Sequence, residues 1–138
     1  MTTFAIGTDT KANSTPVRKA ILLVEDEELL RDMARSCLET EGYSVLDTES
    51  AHEAIALWNT WSARIQLLIV DSGVHGMRGT QLAKLLMDQE PELNVLFVTA
   101  HPNDQILSLV KARKNVHLIS KPFRAQQLAD EVNAVLGD

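Results

Sequence analysis

Cysteine occurs once, at Cys37, so the chain can build neither an intramolecular disulfide framework nor a cysteine-rich zinc site. No apolar run approaches the roughly 18 residues that crossing a bilayer takes. The N-terminus also has no apolar signal-peptide core, so a cytoplasmic protein with no membrane segment is expected. Positive charge is scarce. Thirteen Lys and Arg stand against nineteen Asp and Glu, a net charge of −6, and no basic tract offers a footprint for direct nucleic-acid binding. The six glycines form neither a P-loop nor a dinucleotide fingerprint. No internal repeat is present. The 138 residues, 45% of them hydrophobic, suffice for one core and leave no length for a second domain.

Residues 1–18 read as a flexible tail. Thr2, Thr3, Thr8, Thr10, Ser14 and Thr15 are interspersed with Gly7, Asp9, Asn13 and Pro16, and too little apolar surface is present to offset ordering. A domain over 19–138 follows. Ala20–Val24 is a continuous apolar run short enough for a strand buried on both faces. Leu29, Leu30, Met33, Ala34, Cys37 and Leu38 then recur at helical spacing up to Gly42. The alternation repeats: strands at 44–47, 67–70, 95–98 and 116–120, helices at 51–62, 80–89, 104–114 and 124–136. Five strands alternating with five helices, with no hairpin signal between them, predict a doubly wound α/β domain on one parallel sheet. The first and third strands are the most apolar and are expected at its centre.

In such sheets ligands sit beyond the carboxyl ends of the strands, where the strand order reverses. Glu25 and Asp26 follow the first strand, Asp71 the third, Thr99 ends the fourth, and Lys121–Pro122 follows the fifth. If the first and third strands are neighbours, the three acids converge. Crowded carboxylates repel unless a cation relieves them, and hard oxygen ligands with room for water suit Mg²⁺. A lysine and a hydroxyl on the same rim can serve a phosphoryl oxygen, which points to phosphoryl transfer onto a carboxylate. Four acids in a row, Glu25–Glu28, would by themselves suit a solvated helix start, and Lys121 a surface position; their common place at the strand ends favours the site.

With these residues in order, the chain resembles the receiver domain of two-component response regulators from about Lys19 to Leu136. The matching pieces are Ile21–Glu27, Leu68–Asp71 with Met77 and Gly79 downstream, Val98–Ala100 and Lys121–Phe123. The resemblance implies a flavodoxin-like sheet of order 2-1-3-4-5. It also implies that Asp71 accepts a phosphoryl group from a phosphohistidine of a histidine kinase or histidine phosphotransfer protein. By the same resemblance Asp26 and Asp71 are direct Mg²⁺ ligands, Glu25 an acidic neighbour acting through water, and Gly73 a ligand through its backbone carbonyl. Lys121 pairs with the phosphoryl group, Thr99 hydrogen-bonds it when the domain switches, and the Lys121–Pro122 bond is cis. Signalling to a downstream target then runs through protein contacts.

Two positions depart from the family. His75 stands where a proline is usual, and Leu118 where an aromatic ring usually follows the threonine. These departures support a second reading, a receiver-like scaffold that binds partners independently of phosphate. A dehalogenase-type phosphatase is rejected, because Gly73 occupies the position where that chemistry needs a second aspartate.

Overall fold

The computed structural model describes residues 20–74 and 76–137; the tail expected over 1–18 and the departure at His75 lie outside the described residues. The chain runs β1 (Ala20–Val24), α1 (Glu28–Thr40), β2 (Ser44–Thr48), α2 (Ala51–Trp61), β3 (Ile65–Val70), β4 (Gly73–Val74), β5 (Met77–Arg78), α3 (Gly79–Gln89), β6 (Asn94–Thr99), α4 (Asp104–Ala112), β7 (Val116–Ser120) and α5 (Ala125–Leu136). Five strands form one parallel sheet in the order β2-β1-β3-β6-β7. Counted within that sheet the order is 2-1-3-4-5, as the resemblance implies, and the strand order reverses between β1 and β3.

Every residue of β1 is buried, because β1 has a strand on either side and helices on both faces. Ala20, Leu22 and Val24 point to one core, with α2, α3 and α4. Ile21 and Leu23 point to the other, with α1 and α5. In β3, Ile65 and Leu68 share the first core although they are three residues apart. The β1–β3 register shifts between Ala20 and Ile21, which lets Ile65 pair with Ala20 and Leu67 with Ile21. Phe97 is fully buried in β6, and truncating it to alanine would cost about 3–5 kcal/mol, enough to threaten a marginally stable domain. Edge strand β2 is only half-buried over Ser44–Asp47, which explains its more polar sequence.

Side chains cap the starts of α2 and α4. Ser50 accepts from the Glu53 amide at 3.2 Å, and Asn103 from the Ile106 amide at 2.8 Å.

The structure corrects the sequence reading in three places. The loop after Asp71 contains a hairpin, β4 against β5, with Gly73 opposite Arg78 and Val74 opposite Met77. Gly76 in its turn has φ +97°, a conformation side chains other than glycine's rarely adopt. Leu29 was expected on the packed face of α1 but is 81% exposed. One residue is 100° of helix rotation, so the face defined by Leu30, Ala34 and Leu38 leaves Leu29 outside. Cys37, expected in the core, is half-buried; its Sγ lies 3.2 Å from the Ala125 carbonyl oxygen, and burial pushes the thiol above its ordinary range.

Candidate functional site

Five parallel strands end on one rim, and each contributes there. The β1–β3 neighbours bring Glu25, Asp26 and Asp71 together, one ligand atom from each lying within 4.8 Å of the others. Backbone bonds continue past the strands and fix this approach: the Glu25 amide donates to the Thr48 carbonyl at 3.0 Å and the Asp71 amide to the Val24 carbonyl at 3.3 Å. Lys121 enters from β7, its own amide bonded to the Thr99 carbonyl at 2.9 Å. Its Nζ lies 3.0 Å from Asp71 Oδ2 and 3.1 Å from Glu25 Oε1. The Lys121–Pro122 bond is cis.

Glu25 is 4% exposed, and burial pushes its carboxyl above the ordinary glutamate range. The Glu27 amide, donating to Glu25 Oε2 at 3.1 Å, and the Lys121 ammonium only partly offset that cost. Burial works against the Lys121 charge too, but hydrogen bonding to Asp71 and the nearby Glu25 outweigh it and hold Lys121 above its ordinary range. Glu25 and Asp71 share the Lys121 ammonium, and Asp26 brings a third carboxylate into the same cluster. Hard carboxylate oxygens at this spacing fit a small divalent cation.

Gly73 opens the hairpin two residues beyond Asp71. A Cβ there would meet nothing within 4 Å, so any role it has lies in its backbone. Gly79 is different. A Cβ on it would stand 2.1 Å from the Asp71 carbonyl oxygen, and its amide donates to the Ser72 carbonyl at 2.9 Å. Thr99 is buried at 2% exposure; its Oγ1 accepts from the His101 amide at 3.1 Å and lies 2.9 Å from Ser72 Oγ.

Sequence reasoning missed two residues. Ser72 bonds both Thr99 and Asp71; its only signal was a hydroxyl directly after a strand-end carboxylate. Arg31, one turn into α1, donates to the Glu25 carbonyl at 2.8 Å and meets Asp47 Oδ2 at 3.4 Å, tying the acidic loop to β2. Nothing in a helix-face arginine distinguishes it from a solvated one. Trp58 is a packing residue: it is buried, with Nε1 donating to Gln89 Oε1 at 3.0 Å.

The family model of the response regulator receiver domain matches residues 21–133. The chain belongs to the response-regulator receiver domain family. This receiver is 27% identical over 126 residues to the sensor kinase CckA of Brucella abortus, covering 91% of its own length and 13% of that protein's. It is 29% identical over 118 residues to the response regulator receiver protein CpdR of Brucella abortus, covering 86% of its own length and 97% of that protein's. The chemotaxis protein CheY4 of Vibrio cholerae shares the fold, with a TM-score of 0.74 at 24% identity over 86% of this receiver and 98% of that chain. Against these relatives the phosphate-independent scaffold is not favoured. No helix among the described residues is long and apolar enough to cross a membrane.

Proposed function

We propose that this receiver takes a phosphoryl group onto Asp71 from a phosphohistidine of a histidine kinase or histidine phosphotransfer protein. One observation carries the reading: Asp71 shares a rim with two further carboxylates and is in direct contact with the Lys121 ammonium. In the transfer an Asp71 carboxylate oxygen bonds to phosphorus as the phosphorus–nitrogen bond breaks. The electron pair stays on the imidazole, which then takes a proton. Lys121 stands against Asp71 Oδ2 and neutralises charge gathering on the phosphoryl oxygens. Thr99 supplies a hydroxyl to one of those oxygens once the group is in place.

Glu25, Asp26 and Asp71, with the Gly73 carbonyl, would hold Mg²⁺, Glu25 acting through water. The ion supplies charge neutralisation for the phosphoryl oxygens. The receiver unit is taken as residues 19–138, with 1–18 outside it. Our reading puts it in the cytoplasm and has it signal by protein contacts to a downstream target, without touching nucleic acid.

Phosphoramidate, a small donor with the same phosphorus–nitrogen bond as phosphohistidine, tests the reading. With Mg²⁺, the wild-type chain should gain one phosphoryl mass and Asp71→Asn none. Equal labelling of the two would overturn it.

A further inference from the structure

We propose that Ser72 latches the Thr99 hydroxyl in the resting site, so that Thr99 reaches a phosphoryl group on Asp71 only by leaving Ser72. The proposal rests on the reading of Asp71 as phosphoacceptor. The backbone of Ser72 is pinned at both ends. Its amide donates to Asp71 Oδ1 at 2.6 Å and its carbonyl accepts from the Gly79 amide at 2.9 Å. Gly79 also packs so closely that a Cβ there would stand 3.2 Å from the Ser72 Cα. From this backbone the side chain reaches both partners, with Oγ 2.9 Å from Thr99 Oγ1 and 3.4 Å from Asp71 Oδ1.

Either hydroxyl can donate in this contact, and one arrangement satisfies every partner. Thr99 Oγ1 already accepts from the His101 amide. If its proton goes to Ser72 Oγ, the Ser72 proton is free for Asp71 Oδ1, and the set closes as a chain from His101 through Thr99 and Ser72 to Asp71. A phosphoryl oxygen competes for the same Thr99 proton. A ligand shifts a two-state site only by its differential interaction with the two states, so whatever the Ser72 contact contributes at rest is subtracted from the phosphorylated state. Thr99 is buried, so water cannot freely replace a lost partner.

The test is a double-mutant cycle on Ser72→Ala and Thr99→Val, titrating the full chain with beryllofluoride in Mg²⁺ and following amide shifts. Ser72→Ala should tighten beryllofluoride about two- to tenfold, the range one buried hydrogen bond supports. In the Thr99→Val background the same change should have no effect. Weaker binding in Ser72→Ala would mean that Ser72 helps hold the phosphoryl group, and equal tightening in both backgrounds would mean that it acts without Thr99; either overturns the latch. Side-chain couplings of Thr99 without any beryllofluoride give a second, independent decision. One rotamer in wild type and averaging in Ser72→Ala supports the latch, and an unchanged rotamer overturns it. Wild type that takes no beryllofluoride overturns the phosphoacceptor reading instead, while the Thr99 couplings still decide the latch.

Discussion

Asp71 and Gly79 meet backbone to backbone, so closely that a Cβ on Gly79 would stand 2.1 Å from the Asp71 carbonyl oxygen. No side chain fits between the end of β3 and the start of α3. Gly79→Ala must therefore displace the Asp71 segment, since the obstructing atom is backbone and cannot swing aside. Overpacking of this kind costs about 1–3 kcal/mol. A displacement near 1 Å at reacting atoms costs on the order of a hundredfold in rate. Phosphorylation by acetyl phosphate should fall at least about tenfold in protein shown by circular dichroism to be folded. A folded Gly79→Ala variant that is phosphorylated at the wild-type rate would contradict this.

Lys121 bridges Asp71 and Glu25, and removing it leaves two carboxylates facing each other. Lys121→Met should lower neutral-pH stability by about 2 kcal/mol, as measured by urea unfolding, and slow phosphorylation far more than it destabilises. Its folded-state value lies above the ordinary lysine range, so its stabilisation is fully present below that range and is lost as pH rises through the folded value. The wild-type advantage over Lys121→Met should therefore persist through neutral pH and, on the alkaline side, shrink only in strong alkali. A gap that closes near neutral pH would contradict it.

Glu25 behaves with the same sign. Its raised folded value means that its contribution is present below the ordinary glutamate range and lost as pH rises through the folded value. At neutral pH the metal-free acid cluster is then a source of strain that a cation relieves. Millimolar Mg²⁺ should raise the thermal midpoint of wild type, because the ion binds only the assembled site. Asp26→Asn should abolish the Mg²⁺ response. A retained response would put the ion elsewhere.

Leu118 lies half-buried on β7 and packs with the α2–α3–α4 core. It has less area than an aromatic ring and no flat face to follow Thr99 inward, so the packing difference between resting and phosphorylated states is small there. Beryllofluoride should shift amides in the loops after Asp71 and Thr99, with a muted response around Leu118. Shifts across residues 106–120 as large as those beside Asp71 would show that the switch runs without its ring.

Much of this was legible because β1 and residues 67–70 of β3 are buried throughout. Ala20–Val24 and Leu67–Val70 are apolar without interruption, and a carboxylate directly after such a run can only sit on the rim. The common rim position of Glu25, Asp26, Asp71, Thr99 and Lys121 could therefore be read from the strand ends alone. The β4–β5 hairpin was not, since two residues per strand give no alternation to read. Leu29 misled because an apolar residue one position off the packed face still fits a helical pattern. Ser72 acts through a 2.9 Å contact with Thr99, and Gly79 through a backbone approach to Asp71 that leaves no room for a Cβ; tertiary placement sets both, and spacing along the chain does not encode it.

Intact-mass analysis after incubation with acetyl phosphate and Mg²⁺ tests the phosphoacceptor assignment most directly. Wild type should gain a single phosphoryl group that is lost on chelation and standing, peptide mapping should put it on Asp71, and Asp71→Asn should gain none. Stable modification of Asp71→Asn at the wild-type level would contradict the assignment.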